Sequence, residues 1–113
     1  MILLNPFEQY ISILINQAST FLNTHVKNQL IPFNLAPEQS LILFVLRLED
    51  GLTQKEIGER LKKDKANMAR MAYNLEQKGF IQRRPDAKDR RITRLYLTKE
   101  GKERYEEALA VFD

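Results

Sequence analysis

The residues best suited to chemistry lie in Asp86-Ala87-Lys88-Asp89-Arg90-Arg91, which runs straight into the alternating stretch Ile92 to Leu97. Lys88, Arg90, Arg91 and Arg94 place four cations among two carboxylates, and Arg83 and Arg84 stand just before them. These side chains make neither a nucleophile nor a metal cage. On a turn between two strands they offer forked and point charges to an anion. The plain alternative is a solvated charged loop. Enzyme chemistry finds little elsewhere. The chain has no cysteine and a single histidine, His25, on a polar position of a helical pattern. No Ser/His/acid arrangement, Gly-rich phosphate loop or His/Asp/Glu cluster at ligand spacing is visible. The expectation is a non-enzyme with no cofactor and no metal.

The charge distribution names a class of partner. The net charge is only +3 over 113 residues. Between Thr53 and Leu95, however, thirteen Lys/Arg face six Asp/Glu, while the rest of the chain is mildly acidic. A basic middle flanked by acidic ends suggests one face built for a polyanion, with nucleic acid as the first candidate and an anionic membrane as the rival. No apolar run reaches the ~20 residues that span a bilayer. The opening MILLNPFEQY lacks a basic start and a small-residue cleavage pattern. The expectation is a single-domain cytoplasmic protein with no membrane partner.

Several elements must hold those charges in place. Phe7, Tyr10, Ile11, Leu14, Ile15, Ala18, Phe21, Leu22 and Val26 recur every three or four residues, predicting a long helix to about Leu30 that Pro32 ends. Its stripe carries little charge and suits packing against protein. A second helix starts near Pro37 and is apolar on every side from Leu41 to Leu46, as a buried central helix would be. Asp50-Gly51 stops it. Thr53 and Glu56 form a capping box for a short third helix, with the threonine oxygen accepting from Glu56 N–H and Glu56 reaching back. Asp64 caps a fourth, with Met68, Met71, Ala72 and Leu75 inward and Ala66, Arg70, Tyr73 and Gln77 opposite, Asn67 and Asn74 flanking. Gly79 suits a left-handed exit. Phe80–Arg84 and Ile92–Leu97 read as a hairpin, with Arg94 and Tyr96 on one side and Thr93, Leu95 and Leu97 on the other. Thr98 caps a last helix with Tyr105, Ala108, Leu109 and Phe112 on its apolar side.

Two short capped helices, a tight turn and a basic hairpin make a winged helix-turn-helix pattern. One helix fits the major groove of double-stranded DNA, and an arginine at the hairpin tip suits the narrow, negative minor groove. The run from Leu52 to Gly101 also closely resembles the winged-helix region of MarR-type bacterial transcription regulators. The resemblance rests on Leu75-Glu76-Gln77-Lys78-Gly79-Phe80-Ile81, on Asp89-Arg90-Arg91 and on Leu97-Thr98-Lys99-Glu100-Gly101, and covers Leu35 to about Lys102. It implies that Asp64–Lys78 is the recognition helix and Asp89-Arg90-Arg91 the wing motif. One arginine, Arg91 in preference to Arg90, would enter the minor groove, and Asp89 would hold an arginine in position. It also implies dimerisation through terminal helices and an aromatic, anionic or phenolic effector; relatives usually continue through a longer C-terminal helical region, whereas this sequence ends at Asp113. The sequence departs from the pattern at Ala66 and Ala69, where the family often carries hydroxyls, so base reading shifts to Asn67 and Arg70 with help from Tyr73. It departs again at Ala36, where a threonine usually caps the second helix.

The full expectation is a mainly α protein with a small β-hairpin wing (α+β). Residues 1–34 form an N-terminal dimerisation helix and linker, 35–97 the winged helix-turn-helix, and 98–113 the start of a C-terminal dimerisation helix, all in one structural domain. DNA contacts are assigned to Lys65, Ala66, Asn67, Arg70, Tyr73 and Asn74 on the recognition helix, and to Arg83, Arg84, Lys88, Asp89, Arg90, Arg91 and Arg94 on the wing. Lys62 and Lys63 are further phosphate candidates. The partners are double-stranded DNA, a second copy of the chain and a small aromatic or anionic effector, and the function is a repressor of a roughly palindromic operator. The alternatives are a winged-helix module that binds protein, and a non-specific DNA-binding protein.

Overall fold

The structure, a computed structural model, describes residues 5–110. Its order is α1 (Pro6–Leu30), a 3-10 turn (Ile31–Phe33), α2 (Pro37–Leu48), α3 (Gln54–Leu61), α4 (Lys65–Gln77), β1 (Ile81–Pro85), β2 (Thr93–Leu97) and α5 (Lys99–Ala110). This is the mainly helical winged helix-turn-helix expected, with strand limits shifted by one residue. Phe112 lies outside the described residues.

The core sits where α2, α3, α4, the hairpin and α5 meet. Ile42, Leu43 and Leu46 of α2 pack with Ile57, Met68, Met71, Leu75, Phe80, Ile81 and Leu95, all at or near zero exposure. The inward face assigned to α4 is buried as expected. Two other expectations need correction. Helix α2 is not buried all round: Leu41 and Phe44 are each 44% exposed, because α5 and α4 cover only part of its circumference. On α5, Tyr105 and Ala108 are buried but Leu109 is 44% exposed.

Caps fix where each helix begins. Thr53 Oγ1 accepts from Glu56 N–H at 3.1 Å, but Glu56 reaches back to the Thr53 hydroxyl and not to its backbone N–H. Ala36 has no acceptor to offer α2, so only the reverse half forms, Ala36 N–H donating to Gln39 Oε1 at 3.2 Å. Gly79 (φ +81°) ends α4: its N–H donates to Glu76 O and Phe80 N–H to Leu75 O, a Schellman close. Thr98 joins wing to α5, accepting from Gly101 N–H and donating to Gly79 O. Gly101 lies so close to this crossing that an added Cβ would stand 2.0 Å from Phe80 O, which only glycine permits.

The hairpin is antiparallel with Ile81 opposite Leu97 and Arg84 opposite Arg94. Its outer edge is not bare. Gly51 N–H donates to Leu95 O, Leu95 N–H to Leu52 O, and Leu97 N–H to Asp50 Oδ1, so the α2–α3 link lies along β2 and bridges it between Thr53 and Arg94. Among the described residues no single helix is long and apolar enough to cross a membrane.

Candidate nucleic-acid interface

Helix α4 presents its outer side because its inner side is committed to the core. Ala66, Asn67, Arg70, Tyr73 and Gln77 are exposed and Asn74 is half-buried; Lys65 is exposed at the first turn. Asp64 fixes this end of the helix. One of its oxygens accepts from Asn67 N–H at 2.8 Å and the other from Asn67 Nδ2 at 2.9 Å. Asn67 Oδ1 in turn accepts from Arg70 Nη2 at 3.0 Å. The turn from α3 to α4 is closed by Lys62 in the left-handed region (φ 56°), with Lys63 N–H donating to Gly58 O at 2.8 Å. Lys63 pairs with Glu38 of α2, which draws its ammonium away from the outer face.

The wing is organised by Asp86. It accepts from the backbone N–H of Lys88 (3.0 Å) and of Asp89 (2.9 Å) and from Arg94 Nε (2.6 Å). Arg94 also donates to Gly51 O, so one guanidinium ties the turn of the wing to the α2–α3 link. The Arg94 bond and these backbone bonds hold the Asp86 carboxyl at about 2. At the tip, Asp89 accepts from Arg91 N–H, Nε and Nη2, at 3.0–3.1 Å. That bidentate pair lowers the pKa of Asp89 and raises that of Arg91, while the Arg91 side chain stays 90% exposed. Lys88 and Arg90 are exposed beside it.

The other wing cations have neighbours of their own. Arg84 lies 5.2 Å over the Tyr96 ring and donates to Gln82, which turns it from Arg94 across the ladder. Arg83 Nε is buried 3.4 Å from Glu76 Oε1 of α4. The candidate residues therefore divide. Lys65, Ala66, Asn67, Arg70 and Tyr73 share the open side of α4, and Lys88, Arg90 and Arg91 the open tip. Arg83 and Arg94 are turned inward as struts. A groove of about 1010 Å³ runs between α3, the start of α4 and Ile92–Thr93 of the wing.

Sequence reasoning missed two organisers. Asp86 looks like one more loop charge in the sequence, although an aspartate two and three residues before the N–H groups it caps is the mark of an Asx turn. The sequence marks Asp64 only as a cap, because nothing local signals the bond from Asn67 Nδ2 to its second oxygen.

Comparison with known proteins is consistent with this architecture. The MarR family profile matches residues 35–93. The regulator YwoH of Bacillus subtilis is 37% identical over 93 residues, covering 82% of this chain and 67% of its own. The repressor MdtR of the same organism is 40% identical over 76 residues, covering 67% and 49%. This chain thus spans between half and two thirds of these relatives. The structure of the MepR–DNA complex of S. aureus superposes with a TM-score of 0.84 at 31% identity, covering 90% of this chain and 76% of that one. With its sequence, its fold and the matched profile in agreement, the chain belongs to the MarR family of winged helix-turn-helix transcription regulators.

Proposed function

We propose that this protein is a homodimeric repressor that binds double-stranded DNA at a roughly palindromic operator and is released by a small ligand. The observation that carries this reading is Arg91, a guanidinium held by Asp89 on two bonds, with a third from the Arg91 backbone N–H, yet left almost wholly in solvent. A merely solvated loop needs no such restraint. A minor-groove probe does, because ordering the side chain in advance lowers the entropy lost on binding. Helix α4 then enters the major groove, with Arg70, Asn67, Tyr73 and Ala66 toward the bases and Asn74 at its margin. Lys65, Lys62, Arg84, Lys88 and Arg90 face phosphates. Arg83 and Arg94 act by holding the wing. The match to a relative solved on DNA supports the partner, and the repressor MdtR supports the direction of control.

Two copies would set their α4 helices about 34–36 Å apart. The exposed apolar stripe of α1 supports self-association. Phe44, exposed beside Tyr105, and Leu41, exposed one turn earlier on α2, supply apolar surface for an aromatic or anionic effector. The cytoplasm is where a protein in this role would meet its DNA. Fluorescence anisotropy against the duplex upstream of the protein's own gene, with a scrambled duplex as control, tests the reading at several salt concentrations. The expected result is ~10³-fold preference for the first and more than tenfold weakening by Arg91→Ala. Equal, steeply salt-dependent binding to both would favour a non-specific DNA binder. No binding to either would favour a protein-interaction module.

A further inference from the structure

We infer that Arg70, and not Asn67, is the base-reading group of the N-terminal half of α4, that the base it selects is guanine, and that Asn67 is a positioning residue locked between Asp64 and Arg70. The inference rests on the DNA-binding reading above and deepens it.

The chemistry of the three side chains fixes the direction of the relay. A carboxylate only accepts and a guanidinium only donates. The Asn67 amide must therefore turn Nδ2 toward Asp64 and Oδ1 toward Arg70, as observed at 2.9 and 3.0 Å. Reading adenine requires both ends of an amide on one free edge, one donating to N7 and one accepting from N6. Each end of Asn67 already holds one charged partner, which leaves it one N–H and one lone pair. Turning the amide to set both on a base edge would disturb two charge-assisted bonds, including one to the residue that also caps the helix through Asn67 N–H. Arg70 has the opposite standing. The relay uses one of its five N–H donors and leaves four, enough for the forked contact to guanine O6 and N7. Its neighbours leave it room: Ala66 stands one turn earlier and Ala69 beside it, with no long side chain to screen the guanidinium, and Tyr73 bounds the following turn. Held from one side and open on the other, Arg70 is aimed along the outer face of α4.

Selection of bound sequences from a library of random 30-base-pair duplexes tests this on the whole chain. Wild type is expected to retain guanine at one fixed position in each half-site, preferred about 10- to 100-fold over other bases. Arg70→Ala should lose preference at that position and keep the others. Asn67→Ala should keep guanine there with blunted preference and alter no other position. Asp64→Ser retains a helix cap but not the second acceptor, so it should blunt the same guanine without lowering the melting temperature by more than a few degrees. Loss of an adenine preference in Asn67→Ala, at a position that Arg70→Ala leaves intact, would overturn the inference while upholding DNA recognition. Failure of wild type to enrich any sequence would instead remove sequence-specific recognition itself, and the assignment with it.

Discussion

Asp86 accepts from Arg94 and from two backbone N–H groups, and these hold its carboxyl at about 2 against an ordinary 3.8. The pKa in the folded state lies below that in the unfolded state, so the stability Asp86 supplies is complete above about pH 4 and is lost as pH falls toward 2. Arg94, whose own pKa the same pair raises, stays charged throughout. Thermal melting of wild type and Asp86→Asn should therefore show a gap near neutral pH that closes between pH 4 and pH 2. A gap of constant size would mean that the ionised carboxylate is not its source. Lys62 shows a different economy of one residue. It holds a left-handed conformation that costs a non-glycine residue roughly 1 kcal/mol. Lys62→Gly should relieve that strain, for a net gain of up to about 0.5 kcal/mol once the added freedom of the unfolded chain, ~0.4–1 kcal/mol, is subtracted. If Lys62 meets a phosphate, the same variant should bind DNA more weakly and with a shallower salt slope. Gained stability with unchanged binding would assign Lys62 to the turn alone.

Among the elements, α2 begins without a side-chain cap. Ala36 already has the extended conformation of an N-cap (φ −88°, ψ 155°), and Gln39 makes the reverse bond to its N–H. Ala36→Ser should complete the box and stabilise the fold by about 1 kcal/mol, read as a higher melting temperature. No gain would mean that the Gln39 bond already satisfies this end. The Asp64, Thr53 and Thr98 caps, the Gly79 exit and the inward face of α4 were all legible in the sequence, because each is a local pattern with a local cause. What escaped was non-local. The cover of β2 by Asp50–Thr53 depends on a link some forty residues earlier meeting Leu95 through its backbone and Leu97 through the Asp50 carboxylate. The half-open flank of α2 could not be seen either, since an apolar run reports what a helix could bury and not how many neighbours arrive. At the candidate interface the cations were legible by type. Their division into open side chains and struts was not, because Arg83 and Arg94 differ from Arg90 and Arg91 only in what stands opposite them.

At the scale of the whole molecule, a chain of this length packed as a sphere would have a radius of gyration of about 13 Å; the observed value is 17.1 Å, with extents of 55 × 35 × 21 Å. Helix α1 accounts for the difference. Its 25 residues run about 37 Å, and its only buried residue is Leu30, at the end nearest the body. Phe7, Tyr10, Ile15, Phe21 and Leu22 are 57–73% exposed. The sequence expectation that this stripe packs on protein is not met among the described residues, and a second copy of α1 is the covering surface in the reading proposed above. Covering it would carry the basic face of each copy to the same DNA, where two linked half-sites bind 10²- to 10⁴-fold more tightly than one. Ile15→Glu with Leu22→Glu places like charges on one side of α1 without touching the core. The double variant is expected to be monomeric by light scattering at micromolar concentration, with a melting temperature that no longer rises with protein concentration. Its affinity for a single half-site should be unchanged, and its advantage on the paired site lost. A variant that remains dimeric would move the interface away from α1. One that is monomeric yet binds the paired site as wild type does would show that pairing is not the source of operator affinity.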